Sequence, residues 1–323
     1  MIDDQFALID LLTGYQGAAV VTAAHRLGVF DALDENAKSA EDLAAELVVD
    51  PSNLSALLAA LSRLGLATES GDTYAATPFT SKRLGTGGDL GLVVDKEAVF
   101  ADAWLRLDEV VRSGSPTMAS WHERLATDPQ QARSFLEALD VLARISGPPL
   151  HELEELAPNK RVLDIGGGLG TYASALAGAG STVVLVDFPE VIAWAGEVVT
   201  GDAVSLRPAD IMTEPACGVE AGSMDAALVS HVLHDVREGP ALDLLRRAVA
   251  AVRPGGSVVV NDFAGDSGPG AFGPLFDVMM RVETGGVAHR FERLEAMMRE
   301  TGLTDVRRAP FDEPLTVLIG ERP

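Results

Sequence analysis

The sequence predicts an α/β protein in which a doubly wound, mainly parallel sheet follows a small helical domain. Three observations lead there. Short apolar runs recur after residue 160 with helical patterns between them, a glycine cluster ends the first of those runs, and residues 39–78 read as helix, helix and hairpin. The chain of 323 residues is long enough for two domains. Its 47% hydrophobic and 23% charged residues exclude a disordered or fibrous chain.

In the expected first domain, residues 1–90, Ser39, Ala40, Glu41 and Asp42 have the form of a capping box ahead of Leu43, Ala44 and Leu47, the apolar face of a short helix. Asp50 and Pro51 then supply an N-cap and a first-turn proline. Leu54, Leu57, Leu58, Leu61 and Leu64 follow at helical spacing until Gly65. Residues 66–78 read as two short strands about Ser70, Gly71 and Asp72. Helix, helix, hairpin is the order of a winged helix. A helix that reads DNA needs Lys and Arg along it, yet Arg63 is the one basic residue in 51–64. The formal charge is −23, from 25 Lys+Arg against 48 Asp+Glu, and the pI is near 4.5. Phosphate backbones and anionic membranes repel such a chain. A metabolite-sensing DNA binder is therefore the disfavoured reading, and the apolar domain is expected to be an oligomerisation surface. His25 is expected to be a helix residue with a satisfied ring.

The single cysteine, Cys217, can form no intramolecular disulfide and lacks the partners of a thiolate metal site. Met1, Ile2, Asp3 and Asp4 carry no basic region, and no run of about 18 uncharged apolar residues follows. Neither export nor a membrane span is expected, and the expected compartment is the cytoplasm. Residues 91–159 form a helical middle segment, with helices over about 95–112 and 129–144. Phe100, Trp104, Met118, Trp121 and Phe135 fall here. They either pack between domains or form one wall of an apolar substrate pocket.

In the expected third segment, 160–323, the apolar runs at 161–165, 182–187, 224–229, 257–261 and 315–320 read as buried strands. In such a sheet ligands bind beyond the carboxyl ends of the strands. The first run ends in Asp164, Ile165, Gly166, Gly167, Gly168, Leu169 and Gly170, where glycines let the backbone turn sharply and approach a ligand. Asp187, 23 positions beyond Asp164, ends the next run, as expected of a carboxylate that binds ribose hydroxyls. Together they predict a nucleoside site.

Five motifs occur in order: the 164–170 cluster, residues 186–192 with Asp187 and Phe188, residues 210–212, His231-Val232-Leu233-His234-Asp235, and Arg253-Pro254-Gly255-Gly256-Ser257. In this the chain resembles the S-adenosylmethionine-dependent small-molecule O-methyltransferases, the family of the plant caffeate type and of bacterial polyketide and phenazine tailoring enzymes. The resemblance spans nearly the whole chain. It implies a Rossmann-like class I methyltransferase domain, an N-terminal winged-helix dimerisation domain, a homodimer, S-adenosylmethionine as cofactor and a small-molecule substrate. It also implies that Asp164, Gly166, Gly168 and Gly170 cradle the methionine end of the cofactor. Asp187 would then hold the ribose, Phe188, Asp210 and Ile211 would meet the adenine, and the Ser230 backbone would face the cofactor. His234 matches the family's base, which takes the acceptor's hydroxyl proton, a task suited to histidine near neutral pH.

The chain departs from the family at three places. Val236 stands where the family has tryptophan, Asp262 stands for a longer glutamate, and Ala288, beside His289, replaces a second carboxylate. His234 thereby loses one of the groups expected to orient it. Asp235 and Asp262 remain as catalytic candidates. Two alternatives stay open: C-methylation, with or without a metal at His231, His234, Asp235, Asp262 and His289, and a non-methylating hydroxylase, decarboxylase or cyclase on the same scaffold. No resident metal is expected. Trp104, His231, Phe276, Met279, Met280 and His289 are the candidate pocket residues, the methionines suiting an irregular apolar acceptor.

Overall fold

A computed structural model describes residues 4–33 and 36–323, so Met1, Ile2 and Asp3 of the N-terminal motif lie outside the described residues. The chain forms two compact units, Met1–Val99 and Phe100–Pro323. The expected middle segment has no unit of its own. The boundary falls within the helix Leu90–Trp104, and the helices Leu107–Ser113, Trp121–Thr127 and Pro129–Ser146 belong to the larger unit. The single helix expected over 95–112 is broken at Leu105 and Arg106, after which Asp108 and Glu109 in a new first turn favour a fresh start.

In the smaller unit, helices Ala40–Leu47 and Pro51–Arg63 begin where their caps predict. Ser39 Oγ accepts from the Asp42 amide at 3.1 Å and the Asp50 carboxylate from the Asn53 amide at 2.8 Å. Three strands, β1 (Lys38–Ser39), β2 (Ala67–Ser70) and β3 (Thr73–Ala76), form an antiparallel sheet in the order β1-β3-β2, with β2 and β3 as the wing hairpin. Leu43, Leu58 and Leu61 point inward with Phe30 and Leu33 to make the core. His25 Nε2 lies 3.4 Å from the Asp95 carboxylate.

The helices Gln5–Thr13 and Tyr15–Arg26 pack differently. The first buries nothing, and Phe6, Leu11, Leu12 and Tyr15 are all more than 60% exposed. Together Gln5–Arg26 spans 22 residues, and a stretch of 18 within it reaches a mean hydropathy of 1.3, enough in length and composition to cross a membrane. With Asp10, Thr13, Gln16 and Thr22 in it, this is not the uncharged, wholly apolar run that the sequence was expected to lack. Asp10 interrupts the apolar run without lowering its mean enough, and the helix is an apolar surface that one chain leaves uncovered.

The larger unit carries seven strands: β4 (Arg161–Ile165), β5 (Thr182–Asp187), β6 (Val204–Pro208), β7 (Met224–Ser230), β8 (Val252–Phe263), β9 (Thr304–Arg308) and β10 (Leu315–Glu321). Their order is β6-β5-β4-β7-β8-β10-β9, parallel from β6 to β8, with β10 antiparallel to both β8 and β9. From β4 the chain builds outward first on one side and then on the other, which puts a topological switch point at the carboxyl ends of β4 and β7. Leu163, Ile165, Leu185, Leu228 and Val258 are fully buried. Burying each such side chain stabilises the fold by roughly 1.5–3 kcal/mol.

The Leu58→Ala variant is expected to lose about 2–5 kcal/mol by opening a cavity in the smaller core. Asp50→Ala should lose about 1 kcal/mol with the cap. Urea unfolding followed by circular dichroism checks both, and the larger loss belongs to Leu58.

Candidate active site

At the switch point, β4 ends in a turn that only glycine tolerates. Gly166, Gly168 and Gly170 have φ of +67°, +56° and +87°. A Cβ on Gly166 would stand 2.8 Å from Val232 Cγ2, and one on Gly170 would stand 2.7 Å from Val199 Cγ2. Gly168 instead faces open space. Its amide donates to Asp187 Oδ2 at 2.9 Å, and the Phe188 amide donates to Oδ1 at 2.7 Å, so the end of β5 is tied to the loop. Burial nevertheless lifts the Asp187 carboxyl to about 6. Asp164 lies beneath the loop, with no hydrogen-bond partner for either carboxylate oxygen. Burial, with the neighbouring Asp187 charge, raises it to about 7.

Beside this loop Phe188, Pro189, Pro208, Ala209, Asp210, Glu190 and Glu214 line a cleft of about 340 Å³. His122 closes one side, its ring edge-on to Phe188 at 4.6 Å. Asp210 accepts from the Met212 amide at 2.9 Å, and Ile211 Cδ1 lies 3.5 Å from the position of a Cβ on Gly166. An aromatic ring and carboxylates in one cleft, at the end of the strand that Asp187 ties to the glycine turn, fit a nucleoside. Asp164, buried beneath Gly167, adds a carboxyl group to the same turn.

The second cluster begins where β7 ends. Ser230 pairs with Asn261 in parallel register, so Asp262 comes level with the first residue after β7. His231 takes a left-handed turn, φ +55°, a strained conformation for a residue with a Cβ. The short turn Leu233–Asp235 then swings His234 back over β8. His234 Nδ1 and Asp262 Oδ1 are 2.5 Å apart. Despite the cost of burial, the His234 charge and hydrogen bond hold the Asp262 carboxyl below its usual range; it is therefore the acceptor and Nδ1 the donor. For His234, burial lowers the pKa, but the charge and hydrogen bond of Asp262, with Asp235 and Glu283 beyond, outweigh it and raise the ring to about 9. Asp235 Oδ1 lies 3.8 Å from Nε2, and burial raises its carboxyl.

The apolar candidates assemble around this histidine. Phe276 stands edge-on to His234 at 5.0 Å and to Phe263 at 5.0 Å, and Phe272 stacks on Phe276 at 6.1 Å. Met279 and Met280 join the same cluster, with Ala288. His231 lies 4.8 Å from the Phe263 ring; burial drives it down to about 4, and its neutral Nε2 faces Asn261 Nδ2 at 3.2 Å. Two candidates make none of these ring contacts among the described residues. His289 Nε2 donates to the Leu233 carbonyl at 3.2 Å, and half-buried Trp104 takes no part in the ring contacts around His234.

Sequence reasoning missed five residues: His122, Tyr172, Asn261, Arg124 and Glu283. Asn261 is fully buried and donates to Ser230 Oγ at 2.9 Å, within 3.4 Å of the Tyr172 hydroxyl. A polar residue inside the apolar run 257–261 was the available signal. Arg124 and Glu283 form a buried pair at 3.1 Å, and Arg124 Nη2 has no partner. Ligating atoms of His231, His234 and Asp262 lie within 4.8 Å of one another. Of these, His234 Nδ1 is engaged with Asp262 Oδ1 and His231 Nε2 faces Asn261 Nδ2, while His234 Nε2 keeps its lone pair.

An O-methyltransferase dimerisation domain matches residues 9–85, and an O-methyltransferase domain matches residues 104–304. The chain belongs to this O-methyltransferase family. It is 28% identical over 321 residues to 3-hydroxy-5-methyl-1-naphthoate 3-O-methyltransferase of Streptomyces sahachiroi, covering 95% of this chain and 92% of that one. It is 29% identical over 321 residues to acetylserotonin O-methyltransferase of Mus musculus, covering 91% and 81%. Among solved structures, an O-methyltransferase family protein from Burkholderia thailandensis superposes with a TM-score of 0.88 at 25% identity, covering 100% of this chain and 99% of that chain. The chain is thus an S-adenosylmethionine-dependent O-methyltransferase.

Gly170→Ala places a methyl group against Val199 at a left-handed position. It is expected to weaken S-adenosylmethionine binding at least tenfold, about 1.4 kcal/mol, by titration calorimetry.

Proposed function

We propose that the enzyme methylates a hydroxyl oxygen of a phenolic, polyketide-like or other specialised metabolite, with His234 as general base. The observation that carries this reading is the 2.5 Å bond from His234 Nδ1 to Asp262. It fixes the tautomer, so that neutral His234 presents the Nε2 lone pair, beside Asp235 and against the Phe276 ring. Gly166, Gly168 and Gly170, above Asp164, would hold the methionine end of the cofactor, and the Ser230 backbone would face it. Asp187 would hold the ribose, and Phe188, Asp210 and Ile211 the adenine, with His122 beside them. When bound, S-adenosylmethionine supplies a methyl group on a positively charged sulfur. His234 Nε2 takes the acceptor's hydroxyl proton, and Asp262 stabilises the resulting imidazolium.

Phe263, Phe272, Phe276, Met279 and Met280 form the apolar wall that an aromatic acceptor would meet, with His231 at its edge. The naphthoate in the name of the Streptomyces sahachiroi relative is an acceptor of that kind. His289 acts as a brace beneath the turn that carries His234. We further propose that the uncovered N-terminal helix pairs with its copy in a homodimer in the cytoplasm. The dimerisation match and the exposed Phe6, Leu8, Leu11 and Leu12 support the pairing.

Because His234 works only when neutral and its pKa is raised to about 9, kcat/KM should climb about tenfold per pH unit below that value and level off above it. A profile flat from pH 6 to 9 would contradict the assignment. His234→Gln should lower kcat by about 10²–10⁴-fold while S-adenosylmethionine affinity stays within a factor of about three. For the dimer, Leu8→Asp with Leu12→Asp should convert the sedimenting species to a monomer at micromolar concentration. Unchanged sedimentation would rule that helix out as the interface.

A further inference from the structure

Ala288 cannot supply the second carboxylate. It is buried against Phe276 and Met280, and its amide is engaged by Asp277 at 3.0 Å. Five residues earlier, Glu283 ends the helix Phe272–Glu283 with its side chain buried. The turn after it is fastened on both sides. The Thr117 and Met118 amides donate to the Val282 carbonyl at 3.0 and 3.3 Å, and the Val287 amide donates to the His234 carbonyl at 2.9 Å. Gly286 lies so close that a Cβ there would stand 2.1 Å from the His234 carbonyl oxygen. The turn that follows Glu283 is therefore held against the backbone of His234 and Asp235, three residues beyond it. Arg124 holds its carboxylate at 3.1 Å; in turn the guanidinium is fixed by the Ala119 carbonyl at 2.8 Å and lies over Trp121 and Phe135 at 4.9 and 5.4 Å.

We propose that Glu283, oriented by Arg124, is the positioning carboxylate of the catalytic histidine and does from the end of this helix what Ala288 cannot do from its own position. The proposal rests on the reading of His234 as base. Its physical content is a fixed negative charge that favours the imidazolium formed when His234 accepts a proton. The charge of Glu283 raises both His234 and Asp235, and Arg124 opposes it at Asp235. The other titratable groups facing His234 are Asp262 on β8, Asp235 on its own turn and His231 before that turn; His289 braces the turn from below. None of these replaces a charge arriving from the helix side.

The test is the titration of His234, followed by ¹⁵N NMR of the histidine-labelled full chain with S-adenosylhomocysteine added, beside the pH profile of kcat/KM. Removing Glu283 alone strands a buried guanidinium, so the principal variant is Arg124→Gln with Glu283→Gln, which keeps a hydrogen-bonded neutral pair. Glu283→Gln is the second variant. The His234 midpoint and the acidic limb of the rate profile should both fall by at least about half a pH unit in the double variant. Glu283→Asp should keep them within about 0.3 unit of wild type, and Ala288→Glu in the double variant should move them back upward. A folded double variant whose His234 titrates as in wild type overturns the proposal. If wild type transfers no methyl group, the base reading fails, while the NMR titration still decides whether Glu283 acts on His234.

Discussion

The hydrogen bond between His234 and Asp262 is the interaction on which the site depends, and the register of two strands makes it possible. Ser230 opposite Asn261 sets Asp262 level with the end of β7. A strained left-handed residue, His231, and one short turn then return the chain over β8. Slipping the pairing by one residue would turn Asp262 to the other face of the sheet. Both strands are buried along most of their length.

Burying the ionised pair is costly in a low-dielectric interior, and it persists because each charge is compensated. Asp262 Oδ1 receives the Phe263 amide at 2.7 Å as well as the histidine, and His234 has carboxylates on more than one side. The cofactor side follows a different logic. There Asp164, its carboxyl raised to about 7 by burial and by Asp187, lies beneath a glycine turn of which Gly168 faces open space. On the reading proposed above, one half of the switch point would hold the proton acceptor and the other the cofactor. Methyl transfer needs both to meet at one oxygen.

Legibility from sequence followed burial. The five internal runs named from the sequence all fall within strands of the large sheet, because strands covered on both faces read as continuous apolar stretches. β6 and β9 escaped notice: four of five residues in β9, and three of five in β6, are exposed, so neither has a run to read. The glycine turn, Asp187, His234 and Asp262 were legible through motif spacing and family resemblance. His122 and Glu283 were not. They reach the site from helices 112 and 49 positions from His234 in the chain, and nothing local in their helices distinguishes them from surface residues. Asn261 was readable in principle as a polar residue inside a strand buried on both faces.

The most direct measurement is methyl transfer from ¹³C-methyl-labelled S-adenosylmethionine to a panel of phenolic acceptors, with the labelled carbon located by NMR in wild type and in His234→Gln. The account predicts a label on oxygen, as a methoxyl group, that nearly disappears with the histidine. A label on carbon or nitrogen, or a methoxyl product formed as fast without His234, would contradict it.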